Sequence, residues 1–388
     1  MTEPQVTLTA RGAQRILSGH FWVYRSDIRS TGNVEPGDTV RLRDERGRFL
    51  GKAWFSSHSQ IALRLLTRED RPIDAAYLAD RLEAAARYRE RVVADTNAYR
   101  LVYGESDGLP SLIVDRYTDV LVIQTLSQAT ERRQAEIVRL LQDRFQPRAI
   151  VERNDPRVRR LEGLEQKVGV LRGELGGEVQ IEENGVRFSC DLIGGQKTGA
   201  FLDQRENRAA VAGYATGEVL DCFTYTGGFA LHAARRAARV EGIDLSPAAV
   251  TAAQRNAELN GAGKVNFREA NAFDVLKQYA EAGRRFDLVI LDPPAFAKSK
   301  DSLEPARRGY KEINLRALKL LRPGGILVSC SCSHHVSEAM LLEIIAEASL
   351  DAHRKVVVVE RRTQSRDHPI LLTLPETHYL KSLILRAE

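Results

Sequence analysis

The apolar run from 286 to 291, which ends at Asp292, constrains the fold of this chain more than any other stretch. Such a run is typical of a strand that is covered on both faces of a parallel sheet. Ligands of open α/β sheets bind just beyond the carboxyl ends of the strands, which is where Asp292 is predicted to lie. Pro293 and Pro294 stiffen the following turn and remove two backbone donors from it. On this stretch alone, an ordinary strand followed by a turn is an equally good interpretation.

From about residue 190 onward, strand patterns alternate with helix patterns, which indicates a doubly wound α/β sheet. A strand pattern over 217–223 leads into a glycine-containing turn at 224–228 and then into a helix. The next strand pattern ends at Asp244, about twenty residues beyond that turn. The sequence therefore predicts a sheet whose successive strand ends face one ligand.

The strand ends carry the side chains of a nucleotide-like cofactor site. A carboxylate that follows a glycine turn at this spacing binds ribose hydroxyls. Dinucleotide sites need G-x-G-x-x-G so that a helix N-terminus meets the pyrophosphate, but bulky residues occupy 223–225 here. S-adenosylmethionine carries no phosphate and fits better. Four strand ends in a row carry Asp221, Asp244, Asn271 and Asp292, and this set predicts a class I methyltransferase domain.

Cys332 closes the strand pattern that follows the Asp292 strand in the chain, so the two strand ends are predicted neighbours. Side chains alternate along a strand, and Cys330 therefore shares a face with Cys332 but lies farther from the edge, where packing is its expected role. A thiolate has a specific use at this edge. Its addition to C6 of cytosine makes C5 nucleophilic, whereas methylation at a nitrogen needs no covalent step. The alternative for Cys332 is a small buried residue.

The first 68 residues carry the whole net charge of +5, with eleven Lys and Arg against six Asp and Glu. This asymmetry predicts an appended polyanion-binding module, and an arginine-rich solvated surface is the alternative. Arg11 and Arg25 stand among aromatic residues, a mixture that suits phosphate contact and base stacking. The segments 19–24, 36–40 and 47–51 resemble a PUA domain, a small β-barrel that binds RNA.

The predicted domains are 1–70, 71–180 and 181–388. The central one is expected to be α+β with a strand-strand-helix-strand-strand order, preceded by a helix that Asp74 caps. An Asn184–Gly185 pair indicates a hairpin turn near its end. The central domain shows no catalytic constellation, so its expected role is to connect and to shape a groove.

Taken as a whole, the chain resembles the bacterial PUA-domain-containing 23S ribosomal RNA cytosine-C5 methyltransferases. The segments that carry the resemblance are the PUA-like region, 201–205, 292–296 and 331–333. The resemblance implies an α/β class I methyltransferase domain with a Rossmann-like, doubly wound sheet of seven strands. It also implies S-adenosylmethionine as the cofactor, and 23S ribosomal RNA or a large-subunit precursor as the partner.

The resemblance also implies residue roles, with Cys332 as the nucleophile and Asp292 hydrogen-bonded to the cytosine ring. The implied cofactor-binding residues are Gln204, Arg205, Asp221, Phe223, Thr224, Tyr225, Gly227, Asp244, Asn271 and Asp292. The expected RNA contacts are Phe296, Lys298, Lys300, Arg11 and Arg25. For Arg205, a structural ion pair with Asp203 or Glu206 is an equally weighted alternative.

Two functions of other kinds remain open at this point. One is RNA methylation at a guanine or adenine nitrogen without a covalent intermediate, and the other is a non-catalytic RNA-binding or ribosome-assembly factor. Many relatives in the wider RNA cytosine-C5 group release product with a second cysteine, at the position where this chain has Ala295. The group that removes the C5 proton is therefore left open.

Composition and the first residues indicate the cellular compartment in which the protein is expected. The sequence has no uninterrupted apolar window of about 18 residues, so no membrane span is predicted, and the first residues lack a signal pattern. The four cysteines lack zinc-binding spacing. We therefore expect a cytoplasmic protein without disulfides, metal or membrane contact.

Overall fold

The computed structural model describes residues 3–297 and 300–388, apart from the Lys300 side chain. The chain forms two compact units. The first consists of Met1–Ile181, Cys190–Leu202 and Arg366–Thr377, and the second of Glu182–Ser189, Asp203–Ser365 and His378–Glu388. The three predicted domains, with boundaries after residues 70 and 180, stay a prediction.

The N-terminal part of the first unit is a six-stranded sheet with one helix. Thr9 caps that helix by accepting a hydrogen bond from the Gly12 N–H. The strand order is β2-β6-β5-β4-β1-β3, and β1 and β4 are the parallel pair. The elements are β1 (Gln5–Leu8), α1 (Ala10–Leu17), β2 (Trp22–Tyr24), β3 (Ile28–Thr31), β4 (Thr39–Arg43), β5 (Phe49–Phe55) and β6 (Ile61–Thr67).

The rest of the first unit is built on a five-stranded sheet of order β11-β10-β9-β8-β7. Asp74 caps α2 as predicted, through a hydrogen bond from the Tyr77 N–H. The elements are α2 (Ala75–Val92), β7 (Ala98–Tyr103), β8 (Leu112–Tyr117), β9 (Val120–Thr125), α3 (Gln128–Arg132), α4 (Gln134–Phe145), β10 (Ala149–Asn154), α5 (Val158–Leu161) and β11 (Lys167–Gly173).

The predicted strand-strand-helix-strand-strand order lacks one strand, because β7 also precedes the helices. Arg100 interrupts the apolar pattern of β7 in the middle. Its guanidinium is neutralised by Asp115 on the neighbouring β8, with hydrogen bonds of 2.8 and 2.9 Å. The pairing partner that makes this arginine acceptable in a strand is fifteen residues away and is not visible in the local pattern.

A hairpin of β12 (Val179–Glu183) and β13 (Val186–Cys190) follows. Asn184 and Gly185 have φ values of 49° and 74°, the left-handed conformation that a two-residue hairpin turn of type I′ requires. The predicted turn is confirmed.

The second unit contains the predicted seven-stranded sheet, with order β16-β15-β14-β17-β18-β20-β19 and with β20 antiparallel to both its neighbours. Within the part of the chain that is described, no helix combines the length and apolar composition needed to cross a membrane. The elements are α6 (Arg205–Tyr214), β14 (Glu218–Cys222), α7 (Gly228–Ala234), β15 (Arg239–Asp244), α8 (Pro247–Leu259), β16 (Val265–Glu269), α9 (Ala272–Glu281), β17 (Phe286–Leu291), α10 (Leu303–Leu320), β18 (Leu321–Ser331), α11 (Glu338–Asp351), β19 (Val356–Arg362) and β20 (Lys381–Ala387).

Strand order in this sheet reverses between β14 and β17, and such a reversal opens a crevice at the carboxyl ends of the strands. Cys222 is paired with Leu291, and Leu291 with Ser329, so the ends of β14, β17 and β18 lie side by side. The last residues of β17 are fully buried, as the apolar run predicted. The sheet therefore brings Asp221, Asp292 and Cys332 to one edge.

Candidate active site

Asp221 is the last residue but one of β14, and only one of its two carboxylate oxygens has a hydrogen-bond donor among the described residues. Its Oδ2 accepts hydrogen bonds from Thr224 Oγ1 at 2.6 Å and from the Ala230 N–H at 2.9 Å. Its Oδ1 is buried and has no hydrogen-bond partner among the described residues. A buried acceptor without a donor is costly, so this oxygen suits a ligand that brings one. The ammonium group of S-adenosylmethionine is such a donor, and the site fits the cofactor on this observation.

Burial and the neighbouring carboxylates of Asp292 and Asp244 raise the pKa of Asp221 from 3.8 to about 7. Hydrogen bonds from Thr224 and Ala230 oppose this rise. Three acids thus share a crevice from which water is partly excluded. A cationic ligand relieves their repulsion and favours the charged form of Asp221.

The turn after β14 is built from residues in the left-handed region. Phe223 and Tyr225 have φ values of 65° and 51°, which cost free energy in residues with a side chain. Gly227 has φ 86° and is the N-cap residue of α7, and a Cβ at that position would lie 2.7 Å from Phe267 Cζ. The turn therefore needs glycine at 227 for both conformation and space.

Asp244, at the end of β15, holds this turn in place. Its Oδ2 accepts a hydrogen bond from the Tyr225 N–H at 2.8 Å, and its Oδ1 accepts one from the Ser246 N–H at 2.9 Å. Each carboxylate oxygen has a second lone pair for a ribose hydroxyl. Asn271 lies exposed after β16 and caps α9 through the Phe273 N–H at 2.9 Å. The capping role was not predicted, and the role of Asn271 in cofactor binding stays a prediction.

Gln204 links the segment before α6 to Asp292. Its buried amide donates through Nε2 to Asp292 Oδ1 at 2.9 Å and accepts through Oε1 from Asn207 at 2.6 Å. Arg205 is buried, and its Nη2 lies 3.5 Å from Glu206 Oε1, which is the ion-pair alternative for this residue. Gln204 and Asp292 thus lie together, although they are 88 residues apart in the chain.

Cys332 follows β18 directly and is half-buried, with Sγ at 4.0 Å from the Pro293 carbonyl oxygen. The predicted proximity of the two strand ends is confirmed by this contact and by the parallel pairing of β17 with β18. Cys330 is fully buried and its thiol donates to Ser382 Oγ at 3.4 Å, so its predicted packing role is also confirmed.

Three buried hydroxyls support the Asp292–Cys332 region and were not predicted. Tyr310 of α10 accepts a hydrogen bond from Ser331 Oγ at 2.9 Å and lies 3.1 Å from Ser333 Oγ. Ser333 Oγ also accepts the Ala297 N–H at 3.3 Å. The two serines flank Cys332, so the network fixes the backbone on both sides of the thiol. A tyrosine in a helix more than twenty residues away gives no sequence signal for this role.

A buried ion pair underlies the glycine turn and was also not predicted. Arg208 binds Glu183 through two hydrogen bonds of 2.6 and 2.7 Å. A Cβ at Gly228 would lie 2.9 Å from Arg208 Cδ, so the first turn of α7 rests on this arginine. Bidentate pairing of this kind fixes the position of both side chains.

The predicted RNA contacts fall in different places. Phe296 packs against Tyr310 and Phe273, with ring centroids 4.7 and 6.0 Å apart, so the ring has a packing role in addition to the predicted stacking on a base. Lys298 and the side chain of Lys300 lie outside the described residues.

In the first unit, the Arg11 side chain is 67% exposed and its Nε lies 2.5 Å from buried Asp27. Arg25 donates to the carbonyl oxygens of Ser56 and Ser59 at 3.0 and 2.8 Å. Each arginine therefore already holds a structural partner, and their contact with RNA stays a prediction. No group of His, Cys, Asp and Glu among residues 3–297 and 300–388 is arranged to hold a metal ion.

Two protein families match the chain, one at its N-terminal end and one over its C-terminal part. The family described as S-adenosylmethionine-dependent methyltransferase matches residues 157–386, and the PUA-like domain family matches residues 6–68.

Several bacterial proteins named ribosomal RNA large subunit methyltransferase I are similar over nearly the full length. The one from Shewanella denitrificans is 43% identical, with 95% of each chain covered. That from Tolumonas auensis is 43% identical with 96% of each covered, and that from Vibrio cholerae is 42% identical with 97% of this chain and 98% of the relative covered.

Solved structures share the fold. A SAM-dependent methyltransferase from Streptococcus mutans has a TM-score of 0.83 at 20% identity, covering 98% of this chain and 99% of that chain. A methyltransferase complexed with SAH has a TM-score of 0.84 at the same identity and coverage. The site geometry, the family match and the full-length relatives agree that the chain belongs to the S-adenosylmethionine-dependent methyltransferases, within the ribosomal RNA large subunit methyltransferase I family.

Proposed function

We propose that this chain methylates C5 of a cytosine in large-subunit (23S) ribosomal RNA through a transient bond between Cys332 and C6. The observation that carries the proposal is the position of the Cys332 thiol at the carboxyl edge of the sheet, 4.0 Å from the carbonyl of Pro293, the residue that follows Asp292. A thiol held beside an acid at a methyl-transfer site has a chemical use for carbon methylation and none for nitrogen methylation.

The chain's own groups account for the steps. The Cys332 thiolate adds through Sγ to C6, and the displaced electron pair makes C5 nucleophilic. When bound, S-adenosylmethionine would supply the methyl group that C5 takes, and the sulfonium–methyl bond breaks as the C5–CH3 bond forms. The C5 proton then leaves to a base, its electron pair re-forms the C5–C6 double bond, and Sγ departs as thiolate. Cys332 is thereby regenerated.

Asp292 has the complementary task in this proposal. Addition of a thiolate at C6 is easier when N3 of the ring is protonated, and a carboxyl group that hydrogen-bonds N3 favours that form. Gln204 fixes the orientation of this carboxyl group by donating to Oδ1, and a carboxylate can accept further hydrogen bonds beside that one. Asp292 therefore acts on the ring while Cys332 acts on C6.

Ribosomal RNA is proposed as the substrate because the relatives are named for the large-subunit ribosomal RNA and the chain carries a PUA-like domain. We propose that residues 1–70 bind RNA, 71–180 connect, and 181–388 transfer the methyl group to naked RNA or a precursor subunit. The four cysteines are free thiols, which suits the cytoplasm.

The test compares two cysteines of one strand. Cys332→Ala is expected to lower turnover by about 10³-fold or more while binding S-adenosylmethionine normally by calorimetry. Cys330→Ala, two residues earlier and buried, is expected to keep turnover and serves as the control for loss of a thiol. RNA that carries 5-fluorocytosine should trap a covalent complex with the wild-type protein and none with Cys332→Ala.

Turnover that survives Cys332→Ala would overturn the carbon-methylation proposal and favour methylation at a purine nitrogen. Failure of the wild-type protein to bind S-adenosylmethionine would instead favour a non-catalytic RNA-binding factor. Mapping 5-methylcytosine in ribosomal RNA from a strain that lacks the protein identifies the target nucleotide.

A further inference from the structure

Lys381 is a buried lysine beside the Cys332 segment. It is the first residue of β20, where it is paired with Ser331 of β18, and it is 3% exposed. Lysine is almost never fully buried in proteins without a specific partner. Its position at the carboxyl edge of β18 therefore calls for a function.

The Lys381 ammonium is anchored by backbone carbonyls. Nζ donates to the Ser333 carbonyl oxygen at 2.7 Å and to the Tyr379 carbonyl oxygen at 2.9 Å. Ser333 directly follows Cys332 in the chain, so the first of these bonds also fixes the residue next to the thiol. Carbonyl acceptors orient an ammonium without cancelling its charge, which leaves that charge to act on its surroundings.

The charges around Lys381 identify the group on which it acts. Burial lowers the pKa of Lys381 from 10.5 to about 8, and Cys332 and Glu338 oppose that fall. The lysine is therefore still mainly charged at neutral pH. The Cys332 thiol therefore lies within electrostatic range of the Lys381 ammonium, on the same side as the Ser333 carbonyl that the ammonium binds.

We propose that Lys381 is a positioning residue for the reaction described above, and that its ammonium stabilises the thiolate of Cys332. This inference rests on the proposed function, in which that thiolate adds to C6. A cation beside a cysteine increases the fraction of thiolate, which is the reactive form. The same cation stabilises Sγ when it departs in the last step, so one lysine assists both formation and cleavage of the S–C6 bond.

Other titratable groups in this region do not supply that charge. Tyr310 has its pKa raised by burial and is neutral, and the fully buried Cys330 thiol also has its pKa raised by burial. Asp292 and Glu338 carry negative charge, which disfavours a thiolate. The ring of His334 also lies in this region, 6.2 Å from that of Tyr379.

The test measures the ionisation of Cys332 in the full-length protein, without RNA. The rate of alkylation of Cys332 by iodoacetamide is followed against pH and is quantified on the Cys332 peptide by mass spectrometry. Lys381→Gln removes the charge and keeps a donor, whereas Lys381→Met removes both. We expect both variants to slow alkylation by about tenfold at neutral pH, since thiolate fraction scales with the thiol pKa.

Lys355→Gln is the matched control, because Lys355 lies in the same unit with its side chain 74% exposed and bound to Glu388. It should leave the alkylation profile unchanged. A profile of Lys381→Gln equal to wild type overturns the proposal, as does slow alkylation in Lys381→Met alone, which would show that the hydrogen bonds matter and the charge does not. Should both variants fail to fold, a wild-type Cys332 pKa at or above about 8.5, the value of a free cysteine, overturns it.

The outcome is independent of the proposed reaction. Alkylation reports on the thiolate whether or not Cys332 is the nucleophile, and the Cys332→Ala turnover assay reports on the reaction whether or not Lys381 assists it. If Cys332 is the nucleophile and Lys381 stabilises its thiolate, Lys381→Gln should have a lower kcat than wild type at neutral pH. The difference should shrink at higher pH, and KM for S-adenosylmethionine should be unchanged.

Discussion

The carboxyl edge of the seven-stranded sheet has two halves that are held together in different ways. In the cofactor half, Asp221 is bound by residues three and nine positions along the chain, and Asp244 by backbone N–H groups of the two nearby turns. In the nucleophile half, Asp292 is bound by Gln204 across 88 residues. Cys332 likewise contacts Pro293 across 39 residues.

The two halves differ in what positions their side chains, which is backbone conformation in the cofactor half and contacts between distant elements in the nucleophile half. The geometry of the cofactor half is set by a turn in which three residues have left-handed backbone conformations, namely Phe223, Tyr225 and Gly227. The nucleophile half depends on side chains that meet only when the sheet and α10 have formed, such as Tyr310 with the serines around Cys332. Changes in the two halves should therefore have distinguishable effects on binding, turnover and stability.

The largest effect is expected in the nucleophile half. Asp292→Asn keeps an oxygen for Gln204 but loses the carboxylate, so turnover should fall by about 10² to 10⁴-fold, the range of acid–base catalysis. Affinity for S-adenosylmethionine should fall far less than turnover, because the lost attraction of the Asp292 charge for the cation is offset by a lower pKa, and so more charge, on Asp221. Single-turnover kinetics and calorimetry measure the two quantities.

Asp274→Asn is the control for this prediction, since Asp274 is an exposed carboxylate in the first turn of α9. Its turnover should equal that of wild type. If Asp292→Asn instead loses cofactor affinity and turnover in equal measure, the two halves are not separable as described.

The sequence predicted the cofactor half more completely than the nucleophile half, because the contacts of the first are mostly local and those of the second join distant residues. Strand ends, a glycine turn and helix caps have local sequence patterns, so the doubly wound sheet and the strand ends at Asp221 and Asp244 could be predicted, whereas the number of seven strands came from the family resemblance. The supports of Cys332 come from distant elements, as with Tyr310 and Lys381, and no local pattern marks them. The extra strand β7 was missed for a similar reason, since Arg100 is explained only by Asp115 on the next strand.

A second prediction tests whether the cofactor turn depends on conformation or on space. Gly227→Ala meets both a left-handed φ and a contact of 2.7 Å with Phe267. The ring cannot withdraw easily, because Gly242 packs on it closely enough that a Cβ there would lie 2.5 Å away. We expect a loss of about 2–4 kcal/mol in the free energy of unfolding, from backbone strain and overpacking together.

Gly261→Ala isolates the conformational part. Gly261 has φ 60°, and a Cβ there would meet nothing within 4 Å. Its loss should be about 1 kcal/mol from strain alone. Urea unfolding of both variants gives the comparison, and equal losses would show that the space beside Phe267 is not limiting.

The smallest effect concerns the proton on Asp221. In the folded protein its pKa is about 7, above the ordinary 3.8, so the folded state keeps a proton that the unfolded state loses first. This group therefore lowers the stability of the free protein as pH rises from 3.8 to about 7, and the loss is complete above that range. Asp221→Asn removes the titration, so the variant should unfold at higher urea concentration than wild type in mild alkali.

Asp221→Asn should weaken the binding of S-adenosylmethionine, although it stabilises the free protein. The amide that Asp221→Asn introduces carries no charge for the cofactor ammonium, and loss of a charged hydrogen bond costs about 1.5–3 kcal/mol, or about 10- to 100-fold in affinity at about pH 8. Near pH 6 wild-type Asp221 is mostly protonated before binding, so the difference between the two proteins should narrow. Calorimetry at the two pH values tests this, with Asp274→Asn as the reference. An affinity ratio that does not change with pH would mean either that Asp221 is already ionised in the free protein at pH 6 or that the buried Oδ1 is not the group that receives the ammonium, and each overturns the prediction.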